Sequence, residues 1–214
     1  MALAVLHSRA LSGMDAPEVV VEVHLANGLP SFTIVGLPES EVKESKDRVR
    51  AALLTAQFEF PARRITVNLA PADLPKESGR YDLPIALGIL AASGQIPTEP
   101  LAHYEFAGEL ALTGELRPIR GALAMTSSLM RDVSVSNTQG VRSGVQSKRA
   151  FILPQTSASE AALVREAKIY PAKTLLEVCA HLTGHKALTQ LEATDVVTKI
   201  TYPDFSDVKA QSMA

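Results

Sequence analysis

The chain has 214 residues, of which 46% are hydrophobic, 21% are charged and only 5% are aromatic, with no tryptophan. This length and composition suit one large domain with a core of aliphatic side chains, and they exclude wholesale disorder. The formal net charge of -2 excludes a global basic field, so contact with nucleic acid would have to come from a local patch.

Targeting and redox signals are weak throughout the chain. The apolar residues 1–11 lack a basic leader segment, and the longest apolar run, residues 83–92, is too short to cross a bilayer. A single cysteine, Cys179, excludes an internal disulfide framework and a multi-cysteine zinc site. His181 and His185 lie four residues apart without an evident third ligand. These features predict a soluble, cytoplasmic protein that binds no metal.

Strands are predicted at the N-terminal end. Residues 3–11 and 18–25 are rich in valine and leucine, and alternate valines in the second segment predict a strand with one buried face. The Asn27-Gly28 pair is a tight-turn signal, and residues 31–35 form the next predicted strand. This order predicts an antiparallel hairpin across that turn.

A helix and a further strand are predicted next. Residues 39–58 carry an apolar stripe at helical spacing, formed by Val42, Val49, Leu53 and Ala56. Glu44 and Arg48 add a favourable i,i+4 pair, and Pro61 ends the helix. Residues 65–69 alternate between apolar and polar side chains and predict a strand.

A loop over residues 71–81 leads to a second helix. Asp82 is predicted to cap this helix, and Pro84 suits its first turn. Its residues are apolar on every side as far as Gly94, which is a helix stop signal. A helix without a polar face predicts burial at the centre of the domain.

The remaining chain alternates short strands and helices. Strands are predicted at residues 105–108, 110–116, 151–153 and 168–170, and helices at 120–131, 159–164 and 174–182. The polar residues 134–149 are expected to form a mobile insertion. The whole pattern predicts an α/β (α+β) fold with a mixed sheet and packed helices.

The loop before the buried helix is the strongest candidate site. Backbone N–H groups at a helix N-terminus receive anions, and Lys76, Ser78 and Arg80 add charge and hydrogen-bond donors there. The alternative is structural: Asp82 caps the helix and Glu77 pairs with Lys76 or Arg80. The residues alone favour the structural alternative, because caps are commoner than anion sites.

Other sequence motifs give little information about function. No Walker A loop, dinucleotide-binding glycine motif or G-x-S-x-G elbow occurs, so this chain should not hydrolyse ATP by a P-loop mechanism. Further basic residues lie near helix ends, namely Arg48, Arg50, Arg63 and Arg64. A solvated charged face is the default interpretation of these arginines, and a DNA-facing patch is the alternative.

Three long motifs together resemble a known family. The first joins Ile34-Val-Gly-Leu-Pro-Glu to Val42-Lys-Glu-Ser-Lys-Asp-Arg-Val-Arg-Ala-Ala-Leu, and the second spans residues 71–86. The third runs from Phe106-Ala-Gly-Glu-Leu to Leu116-Arg-Pro-Ile. In this order they resemble the N-terminal domain of the ComM/YifB family of Mg-chelatase-like AAA+ ATPases, over most of residues 1–184.

The resemblance implies a domain similar to the Lon protease domain, whose fold is shared with domain two of a ribosomal small-subunit protein. Lon-type proteases use a serine nucleophile and a lysine base. On their pattern Arg80 occupies the nucleophile position and Leu123 the base position, so the resemblance implies no catalytic residue here. The RadA helicase carries a similar decayed domain as a ring-forming, DNA-contacting scaffold, which implies a DNA role for Lys76 and Arg80.

The resemblance also implies a domain division and a function. Residues 1–184 would form the Lon-like domain, and residues 185–214 a linker and the start of a truncated AAA+ module. The whole protein would form a hexameric ring, use ATP and Mg²⁺ in that module, and drive branch migration of branched or single-stranded DNA as a helicase in natural transformation. This chain would hold no cofactor, contact no membrane, assemble the ring and guide DNA.

Three alternatives stay open at this point. The chain is an active Lon-type serine peptidase that uses Ser78, an accessory protein related to magnesium chelatase, or an oligomerisation module without DNA contact. Peptide cleavage lost on replacing Ser78 would favour the first. Binding of a tetrapyrrole or a partner subunit would favour the second, and ring formation without DNA binding would favour the third.

Overall fold

A computed structural model describes residues 2–138 and 149–191. Its strands are β1 (Ala2–Arg9), β2 (Glu18–Ala26), β3 (Ser31–Val35), β4 (Arg64–Ala70), β5 (Tyr104–Phe106), β6 (Glu109–Leu110), β7 (Leu116–Arg117), β8 (Ala150–Pro154) and β9 (Ile169–Ala172). Its α-helices are α1 (Ser40–Lys43), α2 (Ser45–Thr55), α3 (Asp82–Ala92), α4 (Ala122–Thr138), α5 (Gln155–Ala161) and α6 (Leu175–Leu182). Within these ranges, no helix has the length and apolar character needed to span a membrane.

The first sheet has the strand order β1-β2-β4-β3. Strands β1, β2 and β4 are antiparallel neighbours, whereas β3 runs parallel to β4. Alternate residues of β2 are buried, as its valine pattern predicts. The register places Val21 opposite Leu69 and Val23 opposite Val67, so the buried side chains of both strands share one face. The mixed α/β architecture predicted from the sequence is therefore confirmed.

The predicted hairpin between β2 and β3 is wrong. The neighbour of β2 on that side is β4, and β3 lies beyond it at the edge of the sheet. Strand β4 buries three alternate side chains against the core, whereas β3 buries only Ile34. The strand with more apolar side chains on the buried face takes the central position because it gains more from burial. The Asn27-Gly28 turn signal indicates a reversal but not which strand pairs next.

Helix α3 is the centre of the fold, as its all-round apolar sequence predicts. Each of its residues is buried, and it packs across β1 and β2. At Gly88 the helix lies so close to the sheet that an added Cβ would come within 2.4 Å of a Val23 methyl group. Any larger residue at position 88 would therefore force the helix away from β2.

A second, parallel sheet with the order β5-β8-β9 carries its own apolar cluster with α4 and α5. A buried ion pair joins the two sheets. Arg9, at the end of β1, donates from Nε and Nη2 to the two carboxylate oxygens of Glu105 in β5, at 2.7 and 2.9 Å. Its Nη1 donates to the Ala16 carbonyl at 2.9 Å and to Asp132 at 2.7 Å.

Several predicted helix boundaries are corrected by the structure. The single helix expected over residues 39–58 is interrupted at Glu44 and ends at Thr55. Gln57 then adopts φ 64°, the left-handed conformation that commonly ends a helix. Helix α5 begins at Gln155, four residues before the predicted start.

The insertion expected at residues 134–149 is partly wrong. Helix α4 continues to Thr138, so residues 134–138 are helical. Residues 139–148 lie outside the described residues. The expected linker begins at residue 185, but Leu188 donates its N–H to His181 Nδ1 at 3.0 Å and Leu191 donates to the Ile169 carbonyl at 2.8 Å. Residues 192–214 are not described, and the domain division stays a prediction.

The acid stability of the protein should depend on Glu18. His7 Nδ1 lies 2.7 Å from its carboxylate and Arg149 Nη1 lies 2.5 Å away. The hydrogen bond with His7 and the charge of Arg149 lower the pKa of Glu18 from 4.5 to about 2, against the opposing effect of burial. Because the folded state holds the lower pKa, this contribution is complete above pH 4.5 and is lost as the pH falls towards 2.

We therefore expect Glu18→Gln to lower the free energy of unfolding above pH 4.5, with a difference from the wild type that shrinks between pH 4.5 and about 2. Urea unfolding followed by circular dichroism across this range measures the difference. Glu99→Gln, at an exposed position, is the control and should show no such trend. A difference that stays constant with pH would show that the ion pair does not cause the effect.

Candidate functional site

Asp82 opens helix α3 but does not cap it. Its carboxylate is buried and accepts hydrogen bonds from the Ser45 hydroxyl, from Arg48 Nε at 2.7 Å and from the Leu110 N–H at 3.1 Å. Burial raises the pKa of Asp82, and the hydrogen bonds from Arg48 and Ser45 oppose that rise. The predicted cap is thus wrong, because the carboxylate accepts hydrogen bonds from residues on α2 and β6 instead of from the helix backbone.

Arg80 lies directly before this helix, with only 3% of its surface exposed. Its Nε donates to the Ser78 hydroxyl at 2.9 Å, and its Nη1 lies 3.7 Å from the sulfur of Met125 in the first turn of α4. Burial lowers the pKa of the guanidinium. In the part of the chain that the structure describes, no carboxylate forms an ion pair with Arg80. The predicted ion pair of Arg80 with Glu77 is therefore not found, although the charge of Glu77 raises the pKa of Arg80 against the effect of burial.

Lys76 faces away from this arrangement. Its side chain is buried, and its ammonium donates a hydrogen bond to the carbonyl of Pro71 within the same loop. Burial lowers its pKa, and the charge of Asp73 opposes the shift. Lys76 also joins the loop to the chain before α1, since its carbonyl accepts the Glu39 N–H at 3.1 Å. The structure brings Ser78 and Arg80 together but not Lys76.

The backbone at Ser78 is strained. Its φ of 63° and ψ of 169° lie in a region that residues other than glycine rarely adopt. Glu41 Oε2 accepts its N–H at 3.0 Å, and the hydroxyl accepts the hydrogen bond from Arg80. Strain of this kind clusters at functional sites and persists only where surrounding contacts hold it.

Ser78 and Arg80 line a groove with a volume of about 650 Å³. The charged side chains along it are Glu41, Glu44, Arg48, Glu77, Arg80, Glu109 and Arg120. Most are already engaged: Glu41 holds the Ser78 N–H, Glu44 and Asp82 pair with Arg48, and Glu109 lies 3.6 Å from Arg117.

Two guanidinium groups of this groove have no ion-pair partner within the described ranges, those of Arg80 and Arg120, and two carboxylates have none there either, those of Glu41 and Glu77. Arg80 is buried, whereas Arg120 is exposed. Sequence reasoning missed Arg120, although it directly follows Pro118-Ile119 of the third motif. The two arginines are the groups of this groove that could contact an anion such as a phosphate, against the charges of Glu41 and Glu77.

The same geometry bears on peptide hydrolysis. A Ser–Lys dyad requires the ammonium to lie within hydrogen-bond reach of the hydroxyl. Here the Ser78 hydroxyl accepts from Arg80, while the Lys76 ammonium contacts Pro71. Arg80 and α4, which carries Leu123, do meet at Met125, so the two aligned positions lie in the same region of the fold. Neither arginine nor leucine supplies a nucleophile or a base.

Metal and thiol chemistry find no support in the described ranges. No group of three or more potential metal ligands occurs there, and His181 instead bonds to the Tyr104 hydroxyl at 2.9 Å. Cys179 is buried, and burial raises the pKa of its thiol to about 12. A thiol with this pKa stays protonated and is a poor nucleophile at neutral pH.

Comparison with known proteins finds one matching family model and several similar proteins. The family model for subunit ChlI of Mg-chelatase matches residues 21–136. The competence protein ComM of Haemophilus influenzae is 50% identical over 197 residues, which cover 92% of this chain and 35% of that protein. The protein YifB of Escherichia coli is 46% identical over 211 residues, covering 99% of this chain and 39% of YifB. The chain thus spans less than half the length of these relatives.

Proposed function

Because the chain belongs to the Mg-chelatase-like ComM/YifB family, whose N-terminal region it matches, we propose that it is the non-catalytic N-terminal domain of a ComM-type AAA+ ATPase. In this role it assembles a hexameric ring and guides DNA during ATP-driven branch migration. The competence named in the Haemophilus relative supports a place in natural transformation. ATP and Mg²⁺ belong to the AAA+ module, since this chain contains no phosphate-binding loop.

The observation that carries the DNA role is the buried guanidinium of Arg80. A buried charge without an ionic partner is costly, and it is retained most readily where a ligand of opposite charge completes it. Arg80 lies in the groove beside Arg120, and the strained Ser78 supports its Nε. A DNA phosphate is the anion that the proposed function supplies. Lys76 belongs to this proposal only as a residue that shapes the loop.

We expect Arg80→Gln and Arg120→Gln to weaken binding of branched DNA. The slope of log affinity against log salt should become shallower by about 0.9 for each phosphate contact removed. Fluorescence anisotropy titrations at several salt concentrations measure both quantities. Arg120 is exposed, so its replacement leaves the folded state intact even if Arg80→Gln lowers stability.

Arg131→Gln is the matched control. Arg131 is 56% exposed at its side chain, pairs with Asp15, and like Asp15 does not line the groove. Its removal should change neither affinity nor salt slope by a comparable amount. If both groove variants bind branched DNA with the affinity and salt slope of the wild type, the groove assignment is wrong.

A peptidase function is the second candidate that the resemblance to Lon raises. Its requirement is a base next to Ser78, and Lys76 lies elsewhere. We infer that the chain cleaves no peptide. Casein cleavage that disappears in Ser78→Ala would overturn this inference.

A further inference from the structure

A second, smaller pocket lies at one end of the first sheet and shares no residue with the Arg80 groove. Its volume is about 280 Å³. The side chains that give it chemical character are Phe32, Phe60, Arg50 and Arg63, and the remaining lining residues are small or prolines. No carboxylate lines it, in contrast to the Arg80 groove.

The aromatic and cationic groups of this pocket lie against one another. The rings of Phe32, on β3, and Phe60, in the segment after α2, lie 6.1 Å apart at an angle of 41°. The Arg50 guanidinium carbon lies over the Phe60 ring, 4.9 Å from its centroid. Both rings are half-buried, while Arg50 and Arg63 are exposed. A planar guanidinium held over a ring presents a flat face on which another planar group can stack.

Hydrogen bonds on each side hold the segment that carries Phe60. The Glu59 N–H donates to Gln95 Oε1, and Gln95 Nε2 donates back to the Glu59 carbonyl, both at 2.9 Å. The Phe58 N–H donates to the Leu53 carbonyl at 3.0 Å, and the Ser31 N–H reaches the Arg63 carbonyl at 3.4 Å. The pocket is therefore formed before any ligand binds, which reduces the entropy lost on binding.

Aromatic faces combined with arginines and no acidic group are the features that bind single-stranded nucleic acid. The rings stack on bases, and the guanidinium groups pair with the phosphates on either side. The volume lies just below the roughly 300–1,000 Å³ of typical small-molecule pockets, which suits one base rather than a larger ligand. Duplex DNA offers no such base, because its bases are stacked inside the helix.

We propose that this pocket binds one unstacked base of single-stranded DNA, with Arg63 and Arg50 contacting the adjacent phosphates. This inference rests on the proposed DNA role and adds to it a site for the single-stranded form. An acidic peptide would meet the same two arginines but would make no use of the two phenylalanine rings. Stacking is thus the property that separates the two ligands.

The stacking contact is tested with Phe60→Leu in the 214-residue chain. Leucine keeps most of the apolar burial but removes the aromatic face. Anisotropy titration with a short labelled oligothymidylate should show a loss of affinity of at least about fivefold. Phe58→Leu is the matched control, because Phe58 is also half-buried against the core but does not line the pocket. It should bind like the wild type.

The charge contact is tested with Arg63→Gln. Its salt slope for single-stranded DNA should be shallower by about 0.7, the value for one phosphate contact. With an abasic oligonucleotide of the same length, Arg63→Gln should still weaken binding, whereas Phe60→Leu should have no effect. Circular dichroism of each variant checks that the fold is retained.

The outcomes separate this inference from the proposed function. Equal affinity of wild type and Phe60→Leu for oligothymidylate overturns the pocket, and so does an equal loss in Phe58→Leu. Displacement of the oligonucleotide by polyglutamate together with equal binding of abasic DNA would identify an acidic peptide site instead. If Arg120→Gln still weakens branched-DNA binding, the groove survives each of these results. If the wild type binds no DNA, both proposals fail.

Discussion

Replacing Arg9 with methionine is expected to lower the free energy of unfolding by about 3–5 kcal/mol. Methionine fills a similar volume, but it leaves Glu105 buried at 1% exposure without its main cationic partner. The Ala16 carbonyl also loses its donor. Because the pair joins β1 to β5, the loss should weaken contact between the two sheets. Urea unfolding monitored by circular dichroism measures the change.

Two further variants test whether the stability change comes from the buried Arg9–Glu105 ion pair. Arg9→Met combined with Glu105→Leu should be more stable than Arg9→Met alone, because no buried charge is left unpaired. Arg131→Met removes an exposed pair with Asp15, whose side chains are 56% and 69% exposed, and should cost less than about 1 kcal/mol. An Arg9→Met cost as small as that of Arg131→Met would show that the buried pair does not join the sheets.

Asp82→Ala is expected to have a comparable effect, a loss of about 3–5 kcal/mol. The substitution leaves Arg48 without its buried partner and removes the acceptors of the Ser45 hydroxyl and the Leu110 N–H. These groups hold α2 and β6 against the first turn of α3. The expected result is a lower unfolding midpoint in urea.

Asp47→Ala is the control for the Asp82 substitution. Asp47 is exposed on α2, one residue before Arg48, and its removal should change stability by no more than about 0.5 kcal/mol. Asp82→Asn keeps the shape and one oxygen acceptor but loses the charge, so its cost should lie between the two. Wild-type stability of Asp82→Asn would mean that the charge on Asp82 contributes nothing to the network.

The candidate groove was only partly predictable from sequence. Ser78 and Arg80 lie in one loop, so their proximity follows from chain connectivity. Arg120 comes from another part of the chain, and only the packing of α4 against the loop brings it into the groove. Whether an arginine is free or engaged also depends on distant partners. Arg48 binds Asp82 across two helices, whereas Arg80 has no carboxylate partner among the described residues.

The aromatic pocket was also only partly predictable from the sequence. Phe32 and Phe60 are separated in the chain by α1 and α2 and become neighbours through the packed fold. A sequence signal existed, since the chain has only six phenylalanines and Phe60 is closely followed by Arg63 and Arg64. That signal gave no indication that Phe32 would stand opposite, because cross-element neighbours depend on strand order.

The sequence by itself determined the local periodicities and the family. Alternating valines in β2 and the apolar helix α3 define their buried faces, because burial of apolar area dominates wherever one face or all faces are apolar. Tertiary structure alone decided that β3 pairs with β4, that Asp82 binds Arg48 instead of capping its helix, and that Arg80 stays without an ionic partner in the described part of the fold. Each depends on contacts between residues far apart in the chain, and local pattern carries no information about such distances.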